Sequence, residues 1–432
     1  MKYPRCELPK FVKVRQYLPD EHIDDVQNHV VEQFKSSKVL SHLSEGKRVA
    51  ISVGDRGIGH YHEILRGIID AVKDVGAEPF LFNAIGSHGG ATVEGQREVL
   101  TLHGITEESF GVPVKVTLDT VALGKAENGA EAHFNKDAYE ADATIVVSQE
   151  AVHPVLTEDI ASGLMKMVTI GCGAQAGPAW AHSHGLAESV RLVPKVTIPN
   201  SNIIAGVAVV SNGYNKPHTI EVVPPDKFEE TDRRLLVLQK SLMKIIPFDH
   251  LHVLAIDMIG KSIAGSGMDP NVIGFWRIKG GPHTPDFRRI VVFDLTKESL
   301  GNGIGVGLAD FTTKKLVGKF DWNACYTNLL TGRDPNGRLI EGQLPLALED
   351  DREAMEVALY SALPEGSDEP RRIVRIHNTR NLDVMYVSEA LIPEAVQDPS
   401  TTVLDEPREM PFDDSGNVIW EENNDADQTA ED

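Results

Sequence analysis

Short apolar runs alternate with amphipathic stretches along the first half of the chain. Residues 48–53 form a mostly apolar run before Gly54, which is typical of a buried strand. Residues 61–75 carry apolar side chains at helical spacing and so predict a helix that packs on a sheet. A second strand over 79–85 and a second helix over 93–103 repeat the order. This succession of strands and helices predicts an α/β fold.

The second half of the chain continues the alternation after a break. A long helix predicted over 227–245 is interrupted by Pro247, and a new strand is predicted at 253–256. The remaining predicted elements are strands over 143–147, 289–295 and 373–376 and helices over 312–319 and 351–363. We place the domain boundary at the proline. The prediction is two α/β domains, over 1–247 and 248–395, with the active site in the cleft between them.

The last residues of the chain differ in composition from the rest. From Asp405 to Asp432 there are 11 acidic residues and a single basic one, Arg408. A segment of this kind buries too little apolar surface to order itself. We therefore expect residues 396–432 to form an acidic, disordered tail.

The whole chain of 432 residues is acidic, with a formal net charge of -22. Nucleic acid is excluded as the main partner, because phosphate backbones require clustered cations. No apolar run reaches the roughly 18 residues of a transmembrane helix, so no membrane partner is expected. The three cysteines lie far apart in the sequence, which favours reduced thiols and a cytoplasmic protein.

Two loops at predicted strand ends carry residues suited to binding an anion, and ligands of open α/β sheets bind at such ends. The first contains Asp55 and Arg56 between glycines. The arginine could clamp a carboxylate or phosphate, or the two residues could form an ion pair that fixes a turn. The second, over 86–90, has three glycines that let backbone N–H groups approach an anion, and His88 could move a proton. An ordinary Gly-rich turn with an incidental histidine is the alternative.

A third stretch, after the strand predicted over 143–147, is rich in histidine and lysine. It contains His153, Lys166, His182 and His184 among several glycines. A histidine pair can bind a metal, but no third and fourth ligand follow at the spacing of a structural zinc site. The residues alone therefore indicate an α/β protein with an anion-binding cleft that carries histidine and lysine.

The order and spacing of these residues resemble those of the nickel-dependent lactate racemase family. The matching pieces are Gly-Ser-His-Gly-Gly around His88, His153 65 residues later, and Gly-Leu-Met-Lys ending at Lys166. His182 follows 16 residues after that lysine. The resemblance extends over most of both predicted domains.

The resemblance implies a racemase or epimerase of a 2-hydroxyacid that uses reversible hydride transfer to a nickel-pincer nucleotide. Lys166 matches the lysine that carries this mononucleotide, a pyridinium with two sulfur-containing arms, as a thioamide. His182 matches the histidine that completes the coordination of the nickel. His88 and His153 match two histidines that act as acid and base on opposite faces of the substrate. The other matches are cofactor contacts at Asp55, Ser87, Gly89 and Gly90 and substrate contacts at Arg56 and Lys261.

Other functions stay open on the sequence alone. The same cofactor could act on a larger acid, such as a sugar acid or a dicarboxylate, with Arg277 or Lys279 binding a second carboxylate. The fold could also belong to a non-catalytic protein that binds an anionic small molecule. A nicotinamide-dependent dehydrogenase is less favoured, because no G-x-G-x-x-G follows the first strand. The expected partners are the substrate and the proteins that make the cofactor and deliver it to Lys166.

Overall fold

The computed structural model describes residues 3–54, 58–86, 89–153, 156, 159–280, 283–330 and 338–419. The chain is divided into two units. The first unit is Pro19–Met243, and the second unit combines Met1–Leu18 with Lys244–Asp432.

The strands and helices are numbered along the whole chain. The strands are β1 (Phe11–Gln16), β2 (Arg48–Val53), β3 (Glu78–Asn83), β4 (Val114–Lys115), β5 (Thr120–Lys125), β6 (Glu131–Asn135), β7 (Ala143–Gln149), β8 (Ile203–Ser211), β9 (Pro217–Val223), β10 (Leu251–Ile259), β11 (Phe287–Leu295), β12 (Phe311–Thr313), β13 (Leu346–Leu348), β14 (Ile373–Ile376), β15 (Val384–Ser388) and β16 (Thr401–Val403). The α-helices are α1 (Val26–Ser37), α2 (Tyr61–Asp74), α3 (Val93–Leu102), α4 (Glu107–Phe110), α5 (Lys136–Tyr139), α6 (Leu164–Lys166), α7 (Ala176–Ser183), α8 (Leu186–Thr197), α9 (Phe228–Ser241), α10 (Pro270–Ile273), α11 (Trp276–Lys279), α12 (Lys314–Val317), α13 (Trp322–Leu330), α14 (Asp351–Ala362) and α15 (Ile392–Gln397). Within the described ranges, no helix has both the length and the apolar composition needed to cross a membrane.

In the described part of the first unit, the main sheet has the strand order β4-β3-β2-β7-β8-β9. The strands are parallel except β9, which lies antiparallel to β8 at the edge. Apolar cores lie on both faces of this sheet: Val49 and Ile51 of β2 belong to one core, and Ala50 belongs to the other. Burial on both faces explains why β2 is apolar along nearly its whole length.

The predicted elements of this unit are confirmed where the sequence pattern was most regular. The strand predicted over 48–53 is β2, and α2 buries Ile64 and Ile68 on the predicted apolar stripe. Thr92 caps α3, because its hydroxyl accepts a hydrogen bond from the N–H of Gly95 at 3.0 Å. The α/β fold class predicted from the sequence is the one observed.

In the described part of the second unit, the sheet has the strand order β13-β12-β11-β10-β14-β15-β1-β16. The strands from β13 to β14 are parallel, and the last three are antiparallel to their neighbours. Because β1 pairs with β15 and β16, residues 1–18 belong to the second unit, whereas the prediction placed them in the first domain. The pairing partners of β1 lie near the other end of the chain, so no local pattern indicates them.

The C-terminal segment also differs from its prediction. Thr401–Val403 forms β16, Met410 is buried, and Phe412 forms a β-bridge with Val418. The expectation of disorder therefore does not hold for residues 396–419, since a few apolar side chains and main-chain hydrogen bonds are enough to attach this acidic segment to the sheet. The remaining residues of the predicted tail lie outside the described residues.

The helix predicted over 312–319 is partly a strand. Thr312 and Thr313 belong to β12, and α12 covers only the four residues that follow. The two hydroxyls donate hydrogen bonds to carbonyl groups of β11, at 3.0 and 2.8 Å. These bonds hold the threonines in the sheet, so the helical spacing of the sequence is overridden by strand pairing.

Candidate active site

The loops that follow β2 and β3 lie against the segment that carries Lys166. A Cβ atom built on Gly54, directly after β2, would lie 3.4 Å from Cε of Met167. A Cβ atom built on Gly86, in the loop after β3, would lie 3.6 Å from Cγ2 of Ile170. Since β3, β2 and β7 are parallel neighbours, their carboxyl ends share one edge of the sheet. The structure therefore brings two of the predicted loops and the predicted lysine to the same edge.

Part of the predicted site lies outside the described residues, namely Asp55, Arg56, Ser87 and His88. Gly89 and Gly90 are described, and both have a positive φ, of 65° and 64°. A Cβ atom at Gly89 would lie 2.5 Å from the backbone nitrogen of Gln96, so only glycine fits. This close approach places the Gly-rich loop directly against the first turns of α3.

A buried network of side-chain amides holds the Gly-rich loop. The Nε2 group of Gln96 donates to the carbonyl of Gly86 at 2.8 Å, and its Oε1 atom accepts a hydrogen bond from Asn83. The Nδ2 group of Asn83 also donates to the carbonyl of Thr117 at 2.9 Å. Asn135 completes the network by donating to Asn83. These three amides are buried, so the loop is anchored at its first glycine.

Replacing Gln96 by leucine should lower the free energy of unfolding of the first unit by about 1–3 kcal/mol. The carbonyl of Gly86 then loses its donor and the amide of Asn83 loses its acceptor, while the volume of the side chain changes little. Urea denaturation measures the loss. Glu98→Leu places the same side chain on the exposed face of α3 and should cost less than about 0.5 kcal/mol. Equal effects of the two substitutions would show that the network does not anchor the loop.

The loop after β7 is closed at its base by a pair of backbone hydrogen bonds between Ala151 and Ser162. Ala151 lies two residues before the predicted His153, and Ser162 lies four residues before the predicted Lys166. The bridge therefore brings together the segments that carry these two residues. The Nδ1 atom of His153 accepts the N–H of Leu156 at 3.2 Å, which assigns the proton of the neutral ring to Nε2. The Nζ group of Lys166 donates to Oγ of Ser162 at 3.2 Å. The structure thus places His153 inside this closed loop and Lys166 four residues beyond its closing bridge.

Lys166 ends α6, and the chain then continues into the π-helical turn Met167–Gly171. We refer to residues 164–171 as the lysine turn. Single π-helical turns occur often at functional sites. Burial lowers the pKa of the Lys166 amine to about 8, because desolvation disfavours the ammonium form. A substantial part of this amine is therefore neutral and nucleophilic near pH 8.

His182 lies on α7, which packs closely on the lysine turn. The close approach depends on Gly177, since a Cβ atom there would lie 2.5 Å from the carbonyl oxygen of Thr169. His182 is half-buried in the last turn of this helix. The ring of His184 packs against Trp180 at the end of the same helix, with the centroids 5.2 Å apart and the planes tilted by 31°. In the part of the chain that the structure describes, no group of three or more potential metal ligands is found.

The chain is similar to proteins of known sequence or structure over part of its length. A family model described as a domain of unknown function (DUF362) matches residues 53–224, which include the lysine turn. No curated protein matches the chain. A crystal structure of a protein from Thermotoga maritima is 14% identical, with a TM-score of 0.44, over 63% of this chain and 71% of that one. The lactate racemase apoprotein from Thermoanaerobacterium thermosaccharolyticum is 12% identical, with a TM-score of 0.41, over 66% of this chain and 74% of that one.

Lys261, predicted to contact the substrate, lies in the second unit at the carboxyl end of β10. Its N–H group donates to Oγ of Ser299 at 2.8 Å, and its Nζ group donates to the carbonyl of Gly265 in the same loop. The lysine is therefore held at the edge of the second sheet where ligands of parallel strands bind.

Arg277, considered from the sequence as a partner for a second carboxylate, is instead part of the fold of the second unit. Its guanidinium is buried and donates to the carbonyls of Leu308 and Phe287 at 3.0 and 2.8 Å. It also forms an ion pair with Asp310 at 3.1 Å. These partners occupy the charge, so Arg277 does not favour a dicarboxylate as the substrate. The side chain of Lys279 lies outside the described residues.

Sequence reasoning missed two buried acids beside the lysine turn, Glu150 and Asp232. A signal for Asp232 exists in the sequence: it lies four residues after Phe228 and three before Leu235, on the apolar stripe of α9. An acid on the buried face of a helix requires a specific partner. Glu150 directly follows the apolar strand β7, where an acid is equally out of place.

Proposed function

We propose that this chain is an isomerase that racemises or epimerises a 2-hydroxyacid with a nickel-pincer nucleotide attached to Lys166. The observation that supports it most is the amine of Lys166, whose pKa is lowered to about 8 at the carboxyl edge of the sheet. Attachment of an acyl-type group to nitrogen requires a neutral amine, which a lowered pKa supplies near neutral pH. The order of histidines, lysine and glycines in the sequence supports the same function.

The described residues fit this cofactor at three places. Lys166 provides a nucleophilic amine, and His182 provides an imidazole on the helix that packs against the lysine turn. Gly89 and Gly90 precede the ten-residue helix α3, whose first N–H groups suit a phosphate. When bound, the nucleotide would supply a nickel-supported acceptor and donor of hydride.

His153 is the described residue suited to handle the proton of the substrate hydroxyl. Its Nδ1 atom is engaged by the N–H of Leu156, so the neutral ring presents a proton at Nε2. In this tautomer His153 donates a hydrogen bond from Nε2 to an oxygen atom of the substrate and so orients it. To take up a proton at Nε2, the ring must exchange the Leu156 hydrogen bond for a proton on Nδ1.

The test is to co-express the chain with the enzymes that synthesise the cofactor. Intact-protein mass and nickel content are measured for the wild type, for Lys166→Ala, and for Lys195→Ala as an exposed lysine of the same unit. We expect the wild type and Lys195→Ala to gain the mass of a modified mononucleotide and about one nickel, and Lys166→Ala to gain neither. The loaded protein is then incubated with single enantiomers of 2-hydroxyacids and the products are separated on a chiral column. Wild-type protein that stays unmodified and free of nickel would overturn the proposal.

A further inference from the structure

Asp232 holds the backbone at the start of the lysine turn. Its Oδ1 atom accepts the N–H of Leu164 at 3.0 Å, and its Oδ2 atom accepts the N–H of Met165 at 2.8 Å. N–H groups in the first turn of a helix have no partner within the helix and need one from outside. Both oxygens of one buried carboxylate are thus used to orient the residues that lead directly to Lys166.

Glu150 faces this carboxylate and requires a proton to do so. It is fully buried, and within the described residues neither of its carboxyl oxygens meets an ordinary hydrogen-bond donor at bonding distance. Burial and the neighbouring Asp232 raise the pKa of Glu150 well above its usual range. Two carboxyl groups in one dry site stay together when one of them carries a proton and donates it to the other. The protonated member is Glu150, because Asp232 already receives two N–H groups.

The contact between the pair and the lysine turn leaves no space. A Cβ atom at Gly163 would lie 2.7 Å from Cγ of Asp232 and 2.7 Å from Oε2 of Glu150. The residue before the turn is therefore enclosed by the two carboxyl groups, and any side chain there would separate them from the backbone. The pair acts on the turn through direct contact.

The charged groups near Glu150 and Asp232 favour retention of one proton by the pair, so that the pair carries a single negative charge. Glu229 lies on the same helix as Asp232 and repels its charge, which favours retention of the proton. Arg191 of α8 and Arg233 of α9 are both bound to Asp159. In the described residues around it, the acid pair is thus balanced by the N–H groups of the lysine turn and by its own shared proton.

We propose that Glu150 and Asp232 share one proton and act as a positioning pair that fixes the lysine turn, so that the amine of Lys166 is presented in its desolvated setting. The use of this amine for cofactor attachment rests on the proposed function. The positioning itself does not, and it can be measured on the protein without cofactor. Neither acid touches the reacting atoms, so their effect on Lys166 runs through the backbone of the turn.

Glu150→Gln and Asp232→Asn test the pair from its two sides. Glutamine donates a hydrogen bond to Asp232 at every pH, so Glu150→Gln should keep the slow hydrogen exchange of the Leu164 and Met165 amides. Asp232→Asn removes the carboxylate that these amides need, and their exchange should quicken by about tenfold or more. Glu230→Gln is the matched control, because it makes the same acid-to-amide change on the exposed face of α9.

The second readout is the pH profile of Lys166 acylation by acetic anhydride, followed by peptide mass spectrometry. Wild type, Glu150→Gln and Glu230→Gln should show half-maximal reactivity near the pKa of about 8. In Asp232→Asn the midpoint should move toward the ordinary lysine value of about 10.4, since a loosened turn lets water reach the amine. A purely structural role of the pair would change stability without moving this midpoint.

The pH dependence of the unfolding free energy is the third measurement. It needs only the wild type and Glu150→Gln, so it can be made even if Asp232→Asn does not fold. A carboxyl group whose pKa is raised in the folded state stabilises the fold at low pH, and this contribution is lost as the pH rises through the raised pKa. The unfolding free energy of the wild type should therefore fall toward alkaline pH more steeply than that of Glu150→Gln. The proposal is overturned if Glu150→Gln keeps the wild-type pH dependence of the unfolding free energy, or if Asp232→Asn leaves both amide exchange and acylation unchanged. A normal result here with no cofactor attachment would count against the proposed function alone.

Discussion

Replacing Arg375 by methionine should lower the free energy of unfolding of the second unit by about 3–5 kcal/mol. Arg375 lies on β14 and is fully buried, with Nε and Nη2 bound to the two carboxylate oxygens of Asp257 at 2.8 and 3.0 Å. Methionine fills a similar volume and leaves the carboxylate of Asp257 buried without its cation. The guanidinium also lies 3.1 Å from Sδ of Met410 and donates to the carbonyl of Ile419, so the C-terminal segment should loosen as well.

The measurement is urea denaturation followed by tryptophan fluorescence in a Trp180→Phe background, because Trp180 is the only tryptophan in the first unit. Arg371→Met is the matched control. It makes the same substitution at an exposed position four residues earlier and should cost less than about 0.5 kcal/mol of unfolding free energy. Combining Arg375→Met with Asp257→Leu should recover most of the loss, since an apolar pair needs no cation. A loss no larger than that of the control would show that the ion pair does not support this sheet.

The elements that could be predicted from the sequence are those encoded within their own residues. The strand over 48–53 and the cap at Thr92 are local patterns, and both are confirmed. The position of β1 could not be predicted in the same way, because a short alternating strand does not reveal which distant strand it pairs with. The prediction that residues 396–419 are disordered was wrong for a related reason. The net charge of the segment indicated disorder, whereas a few apolar contacts such as that of Met410 attach it to the sheet.

For the candidate site, the sequence indicated which residues would lie near one another better than it indicated what surrounds them. The order of the Gly-rich loop, His153 and Lys166 predicted a common site, and the structure places the described members at one edge of a sheet. The lowered pKa of Lys166 depends on burial, which no spacing rule encodes. For Arg277 the sequence suggested a binding role that the structure does not support. Its ion-pair partner Asp310 is distant in sequence and is brought to it only by folding.

Substituting glutamine for His153 should lower kcat/KM for 2-hydroxyacid racemisation by about 10²–10⁴-fold at equal nickel content. Glutamine can still accept the N–H of Leu156, so the closed loop between Ala151 and Ser162 should persist. It cannot exchange a proton near neutral pH, and this is the one property that the proposed function requires of the imidazole. The loss should therefore appear in activity while the mass of the attached cofactor stays that of the wild type.

His184→Gln provides the control for the His153 result, because His184 is a half-buried histidine whose ring Nδ1 atom contacts Trp180 and Ser183 at the end of α7. It should retain most of the activity. For a racemase the two enantiomers are equal in free energy, so kcat/KM must fall equally for both in His153→Gln, even though the residue acts on one face of the substrate. Activity within about tenfold of the wild type at full nickel loading would remove His153 from the acid–base role. In that case a group other than His153 would have to transfer the proton.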